Sequence, residues 1–114
     1  MIESTHFGAM TIDGRTYTSD LFIYPDGRIE DGWWRRQGHV MAVDDILLLV
    51  DAAPELIIVG TGTSGRMRPE KNVAPFLSER GIAWIAEPTN KAVARYNREI
   101  GAGVKVGACF HLTC

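Results

Sequence analysis

The residues best suited to bind a ligand form a glycine-rich segment, Gly60 to Gly65, which follows a run of apolar residues. The segment fits the G-x-G-x-x-G pattern, in which backbone N–H groups at the start of a helix hold the pyrophosphate of a dinucleotide. In that pattern an acidic residue about 20 positions further on binds the ribose. Glu87 stands 22 positions after Gly65, so a dinucleotide site is the first hypothesis.

A proline behind the glycines argues against this hypothesis. Pro69 is four residues after Gly65, so a helix that began inside the loop would hold Pro69 in its interior, where the ring clashes with the preceding turn. The chain is also too short for two mononucleotide-binding halves. Two interpretations remain open: a glycine-rich turn at the end of a strand, and a site for a smaller anionic or polar ligand that Arg66 would help to hold.

Cysteine and histidine near the end of the chain suggest a metal site or a nucleophile. Cys109, His111 and Cys114 follow a C-x-H-x-x-C pattern, but a strand places Cys114 on the opposite face from the other two. Zinc needs four ligands in a tetrahedron. Side chains two positions apart on a strand are about 6 to 7 Å apart, too far for His111 to activate Cys109 through a hydrogen bond. We therefore expect no metal and no cofactor, and a packed terminal strand instead.

Two adjacent tryptophans followed by arginines are the most conspicuous aromatic feature. In a strand, Trp33 and Trp34 face opposite sides of the sheet, so one is expected in the core and the other on the surface. An exposed tryptophan beside Arg35 is typical of a protein interaction site. The alternative is that both indoles cover the edge of a small core.

The composition limits the classes of function. The chain has 114 residues, with 12 Lys and Arg against 14 Asp and Glu, and a net charge of −2. This length predicts one domain, residues 1–114, and the charge disfavours binding to nucleic acid. No apolar run approaches the roughly 20 residues of a membrane span, and the start lacks the pattern of a signal peptide. We expect a cytoplasmic protein.

The elements that must position these residues can be predicted from periodicity and turn signals. Strands joined by turns at Asp13-Gly14 and Pro25-Asp26-Gly27 are expected first, and helices and strands alternate afterwards. The predicted elements are strands at 7–12, 17–24 and 28–34, a helix at 43–50, a strand at 56–59, a helix at 73–80 capped by Asn72, a strand at 82–86, a helix that Thr89 caps and Gly101 ends, and a strand at 104–113. This order predicts an α/β fold with helices packed on a mixed sheet.

Several motifs together resemble one small α/β family. They are Phe7-Gly8 with Ile12-Asp13-Gly14 and Tyr17; Asp20-Leu21; Trp34-Arg35 with Gly38-His39; Ile58-Val59-Gly60-Thr61-Gly62; Pro69; Thr89-Asn90-Lys91-Ala92-Val93 with Tyr96-Asn97; and Phe110-His111-Leu112-Thr113-Cys114. The family includes bacterial and archaeal proteins of unknown function, an adipogenesis-associated animal protein, and the third assembly factor of mitochondrial respiratory complex I.

The resemblance implies a three-layer α/β fold in which a mixed central sheet is flanked by helices, with a small N-terminal β-meander alongside. It brings no established catalytic activity. It also implies a pocket near the Gly-Thr-Gly loop, at Thr61 and Gly62 and the neighbouring segment from Glu87 to Asn90.

Two hypotheses for the function follow. The first is a non-enzymatic accessory or interaction protein that assists the assembly of a respiratory membrane complex through Trp33, Trp34 and Arg35. The alternative is a small-molecule-binding protein or enzyme with a pocket at the Gly-Thr-Gly loop, formed by residues that include Gly65, Arg66 and Thr89. The sequence leaves the ligand, the partner and the oligomeric state open.

Overall fold

A mixed five-stranded sheet forms the centre of the fold in a computed structural model that describes residues 1–114. Ten strands, a 3-10 turn and three α-helices follow one another along the chain. They are β1 (Ile2–His6), β2 (Ala9–Ile12), β3 (Arg15–Tyr17), β4 (Leu21–Ile23), β5 (Ile29–Asp31), β6 (Val40–Met41), the 3-10 turn (Val43–Ile46), α1 (Leu47–Asp51), β7 (Leu56–Gly60), β8 (Arg68–Pro69), α2 (Val73–Glu79), β9 (Ala83–Glu87), α3 (Thr89–Gly101) and β10 (Val106–Phe110).

The strand order of the central sheet is β5-β4-β10-β7-β9. The last three of these run parallel to one another, with Phe110 paired to Gly60 and Gly60 paired to Glu87. Strand β4 runs antiparallel to β10, so that Leu21, its first residue, pairs with Phe110. The carboxyl ends of three strands and the amino end of a fourth therefore meet at one edge, which we call the carboxyl edge.

Each face of the sheet carries its own apolar core. On one face, the antiparallel meander β1-β2-β3 and helix α3 pack around Phe110 and Ile58. On the other face, α1 and α2 pack around Ile57 and Val59 together with Cys109. Successive side chains of a strand point to opposite faces of the sheet, so alternate residues contribute to the two cores. The predicted three-layer α/β fold with a mixed sheet and an N-terminal meander is thus confirmed. No helix of the structure is both long enough and apolar enough to cross a membrane.

Both predicted β-turns form, but some predicted strands and caps differ. Asp13 and Gly14 have φ angles of 48° and 83°, as a tight type I′ hairpin turn requires. The predicted strand at 17–24 is in fact two strands in two sheets, because residues 18–20 leave one sheet and enter the other. Strand β1 was not predicted. Asn72 occupies the N-cap position of α2 as predicted, but its side chain makes no capping hydrogen bond.

Candidate functional site

The carboxyl edge brings together side chains that are far apart in the sequence. Asp20 immediately precedes β4 and His111 immediately follows β10, so the pairing of these strands places the two residues side by side. Arg35 reaches the same point from the segment after β5. In open α/β sheets, ligands commonly bind at such an edge, and these three residues, the carboxyl-edge cluster, are therefore the first candidate site.

Hydrogen bonds join the three residues into one buried network. Asp20 Oδ2 lies 2.7 Å from His111 Nδ1 and accepts a bond from Arg35 Nη2 at 2.8 Å. Asp20 Oδ1 accepts the backbone N–H of Leu112 at 2.7 Å. Arg35 also donates to the carbonyl of Gly38 and lies over the ring of Trp33, 4.3 Å from its centroid. The carboxylate therefore ties two distant segments to the end of β10.

These bonds stabilise the ionised form of Asp20. Burial of the carboxyl acts to raise its pKa, but hydrogen bonds from His111, Leu112 and Arg35 outweigh this, so the pKa of Asp20 lies below its ordinary value of 3.8. A carboxyl whose pKa is lower in the folded state than in the unfolded state contributes stability above the unfolded value. That contribution declines as the pH falls below 3.8 and through the folded-state pKa.

We predict that this contribution appears as a pH-dependent difference between the natural protein and the Asp20→Asn variant. The variant should be less stable near pH 7, and the difference in free energy of unfolding should shrink as the pH falls below 3.8. Urea unfolding at a series of pH values measures it, because the other carboxyl groups titrate alike in both proteins and cancel. A difference that stays constant from pH 7 to pH 3 would contradict the role given to Asp20.

The cluster resembles an Asp–His pair that orients a general base, but no side chain forms a hydrogen bond with the second ring nitrogen of His111. His111 is 5% exposed and its Nε2 has no hydrogen-bond partner; the nearest aromatic neighbour is His39, whose ring lies edge-on at 5.6 Å. Cys109 is fully buried in the core on the α1 and α2 side, beside Met41 Sδ at 4.0 Å. Burial raises the pKa of its thiol far above the ordinary value, so Cys109 is not an activated nucleophile.

The Gly-Thr-Gly loop is bound tightly to the rest of the carboxyl edge. Thr89 Oγ1 accepts the N–H of Gly62 at 2.9 Å and donates to the carbonyl of His111 at 2.7 Å. Thr61 and Thr89 are both buried. Thr89 was expected to cap α3; instead Pro88 precedes the helix, and the Thr89 hydroxyl joins three strand ends.

The backbone N–H groups of this loop serve the protein itself. Five of them donate hydrogen bonds to oxygens of the chain: Thr61 to Glu87, Gly62 to Thr89, Thr63 to Thr113, Gly65 to Gly62, and Arg66 to Cys114. Only Ser64 lacks such an acceptor. A small anion at the loop would therefore find few free donors, although the side chains of Arg66 and Asn90 are exposed and Glu87 is half-buried.

A groove lies on the α1 side of the sheet. Its volume is about 650 Å³, and its apolar lining consists of Phe22, Trp33, Trp34, Val40, Ala42 and Leu48. We call it the Trp34 groove. None of the ligand-binding candidates of the Gly-Thr-Gly loop lines it.

The two tryptophans and Arg35 have different surroundings. Trp33 is 8% exposed, and its indole N–H donates to the carbonyl of Asp45 at 2.9 Å, whereas Trp34 is 77% exposed. The prediction that one indole is buried and the other exposed is confirmed. Arg35 was expected on the surface beside Trp34, but it is 7% exposed. Its guanidinium turns inward because Asp20 and Gly38 accept its bonds there.

Sequence reasoning did not find that Asp20, Arg35 and His111 form one network. The three residues occur in separate motifs of the family resemblance, and this was the only signal that linked them. No group of three or more His, Cys, Asp or Glu side chains is arranged to hold a metal ion. The three residues of the C-x-H-x-x-C pattern have different surroundings: Cys109 is in the core, His111 belongs to the carboxyl-edge cluster, and Cys114 is half-buried.

Comparison with known proteins places the chain in a family. Residues 2–111 match the family described as "Protein of unknown function (DUF498/DUF598)". The structure named MT938 is 32% identical over 100% of this chain and 98% of its own length, with a TM-score of 0.81. The conserved hypothetical protein PH1505 from Pyrococcus horikoshii OT3 is 26% identical over 100% and 99%, with a TM-score of 0.83.

A more distant likeness agrees in fold. A Bordetella pertussis protein described as a Mth938-like domain is 18% identical over 98% of this chain and 85% of its own, with a TM-score of 0.67. The match over nearly the full length, together with the fold, decides the family. The chain belongs to the family of proteins of unknown function DUF498/DUF598.

Proposed function

We propose that the protein is a non-enzymatic interaction protein and that it docks its partner at the Trp34 groove. The observation that carries the proposal is the exposure of large apolar side chains at the groove: Trp34 is 77% exposed and Leu48 is 53% exposed. Burial of such side chains by a partner lowers the free energy of the complex. Tryptophan is common among the residues that dominate binding energy at protein interfaces.

The buried network supports a structural role for the neighbouring residues. Arg35, proposed above as an interaction residue, donates hydrogen bonds to Asp20 and to the carbonyl of Gly38. These bonds hold the segment that contains Trp34 in place. Trp33 lies under the groove with its indole N–H bonded to Asp45. Trp34 is therefore the contact residue of this surface, and Trp33 and Arg35 position it.

The alternative of a ligand pocket at the Gly-Thr-Gly loop has less support. Its mechanism needs free backbone N–H groups, and five of those in the loop are bonded within the protein. Thr61, Gly62 and Thr89 hold strand ends together in this interpretation. Arg66, Glu87 and Asn90 would remain as peripheral candidates.

The proposed partner is an assembly intermediate of a respiratory membrane complex, which the protein would meet from the cytoplasm. Support for this comes from the resemblance of its motifs to the third assembly factor of mitochondrial complex I. The role requires a surface that binds other proteins and no catalytic centre. The Trp34 groove, with its exposed large apolar side chains, fits the first part of that requirement.

We predict that a Trp34→Ala variant loses this partner. Tagged protein is recovered from the native cells at near-physiological salt, and the bound proteins are identified by mass spectrometry. Subunits or assembly proteins of a respiratory complex should be recovered with the natural chain and fall about tenfold or more with Trp34→Ala, as expected when a central tryptophan is truncated.

Phe7→Ala is the matched control, because Phe7 is 65% exposed and does not line the groove. It should recover the same proteins as the natural chain. Equal recovery with all three proteins would reject the Trp34 groove as the docking surface. Recovery that depends on Trp34 but contains no respiratory subunit would keep the interaction and reject the assembly role.

A further inference from the structure

The Trp34 groove is markedly acidic. Its lining contains five carboxylates and one guanidinium; the carboxylates are those of Glu30, Asp31, Asp44, Asp45 and Glu70, and the guanidinium is that of Arg36. The whole chain has a net charge of only −2. Negative charge is therefore concentrated at this one surface, and the remainder of the molecule is close to neutral or positive.

No Lys, Arg or His side chain forms an ion pair with these carboxylates. The ion pairs of the structure are those of Asp13 and Asp20, and none includes an acid of the groove. Two of the five are held in place by hydrogen bonds: Asp45 accepts the N–H of Ala42 at 2.7 Å, and Glu30 accepts the hydroxyl of Tyr24 at 2.9 Å. Burial, followed by the influence of Glu30, raises the pKa of Tyr24 to about 12, so the hydroxyl remains a donor at neutral pH.

We propose that the groove recognises a segment of a partner protein in which arginine alternates with large apolar residues. This inference rests on the proposed function and specifies the chemistry of the partner. Arginine fits both parts of the surface, because its guanidinium forms paired hydrogen bonds with carboxylates and stacks on the face of an indole. Exposed Asp31 and Glu70 provide the first kind of contact and Trp34 the second.

The apolar surface favours a peptide segment over a small cation. Leu48 is 53% exposed within the groove, and Leu47 beside it is 38% exposed but does not line the groove. Leucine side chains are thus exposed both inside the groove and outside it. A volume of about 650 Å³ also exceeds what one guanidinium would fill. A segment that carries leucine or phenylalanine beside arginine would cover both the cavity and its apolar rim.

The test uses fluorescence anisotropy of a fluorescein-labelled peptide of eight residues in which arginine and leucine alternate. A second peptide replaces arginine with glutamate. The first should bind the natural protein, more weakly as salt is raised, and the second should not. Trp34→Ala should weaken binding about tenfold, as expected for a tryptophan at the centre of an interface, and Phe7→Ala should leave it unchanged.

Two matched double variants separate local from overall charge. Asp31→Asn with Glu70→Gln removes two carboxylates of the groove, whereas Asp51→Asn with Glu79→Gln removes two exposed carboxylates outside it. Both variants change the net charge equally. The first should weaken binding by about five- to tenfold, and the second should change it by less than about twofold, because screening limits the reach of distant exposed charges.

The outcomes distinguish this inference from the proposed function. Equal effects of the two double variants, or binding that does not depend on Trp34, would mean non-specific attraction and overturn the inference. No peptide binding, together with partner recovery that depends on Trp34, would leave the docking surface in place and reject the arginine-rich segment. Displacement of the peptide by micromolar spermidine would assign the groove to small cations instead. Failure of both experiments would reject the groove altogether.

Discussion

Replacing Arg35 with alanine is expected to lower the free energy of unfolding by about 3 to 5 kcal/mol, as removal of one partner of a buried ion pair does. The Arg35 guanidinium is buried and donates to Asp20 and to the carbonyl of Gly38. Without it, the Asp20 carboxylate stays largely shielded from water and has lost the one partner that is always charged. Domains of this size are stable by only about 5 to 15 kcal/mol, so the loss would be a large fraction of the total. Urea unfolding followed by circular dichroism measures it.

The neighbouring arginine provides the control. Arg36 is exposed and makes no ion pair, so Arg36→Ala should change the stability by less than about 0.5 kcal/mol. Arg35→Lys should fall between the two, because an ammonium keeps the charge but lacks the planar fork that reaches both Asp20 and Gly38. Equal stabilities for Arg35→Ala and Arg36→Ala would show that the carboxyl-edge cluster does not hold the fold together.

Replacing Gly62 with alanine is expected to destabilise the protein by about 3 kcal/mol or more, from roughly 1 to 3 kcal/mol of overpacking and 1 to 2 kcal/mol of backbone strain. The φ angle of Gly62 is +108°, and an added methyl group would overlap the backbone carbonyl carbon of Cys114. It would also lie 2.6 Å from the oxygen of that carbonyl and 2.8 Å from His111 Cδ2. The bond from the Gly62 N–H to Thr89 opposes any shift of the loop away from this overlap.

Gly103 separates the two contributions. Its φ angle is +81°, but a methyl group there would meet no atom within 4 Å. Gly103→Ala should therefore show the strain alone, about 1 to 2 kcal/mol. Thermal and urea unfolding of both variants give the comparison. If the two variants proved equally stable, the segment around Cys114 would be free to move aside, and the close packing of the loop would have no energetic importance.

Much of the secondary structure could be predicted because its signals are local. Strand β7 and helix α3 are fixed by apolar runs and by 3.6-residue periodicity, and the turn at Asp13 and Gly14 by the positive φ angles that these residues tolerate. The break between β3 and β4 could not be predicted. Residues 18–20 lie between two β-favouring runs, and Ser19 and Asp20 give only a weak local signal against a strand. The pairing of the two runs with different sheets makes the break.

The site was predicted less well, because its residues meet through strand pairing. Trp33 and Trp34 do have opposite environments, as one of the two predictions had it, although the strand on which that prediction rested ends at Asp31, before both of them. Arg35 was wrongly placed on the surface, since arginine is usually exposed and nothing near it in the sequence identifies Asp20 as its partner. The register of β4 against β10 makes Asp20 a neighbour of His111, and Arg35 then joins the pair through the carboxylate.

The sequence by itself determined the α/β class and the order of most elements, and Pro69 argued against a helix that begins inside the glycine loop. These follow from interactions within a few residues, such as the clash of a proline ring with a helical turn. Only the tertiary structure decided that Asp20, Arg35 and His111 form one network, that the N–H groups of the Gly-Thr-Gly loop are already bonded, and that acids from three separate segments surround Trp34. The reason is that the burial of a side chain and its charge partners depend on which distant segments the sheet brings together. The pairing of these strands cannot be deduced from neighbouring residues in the sequence.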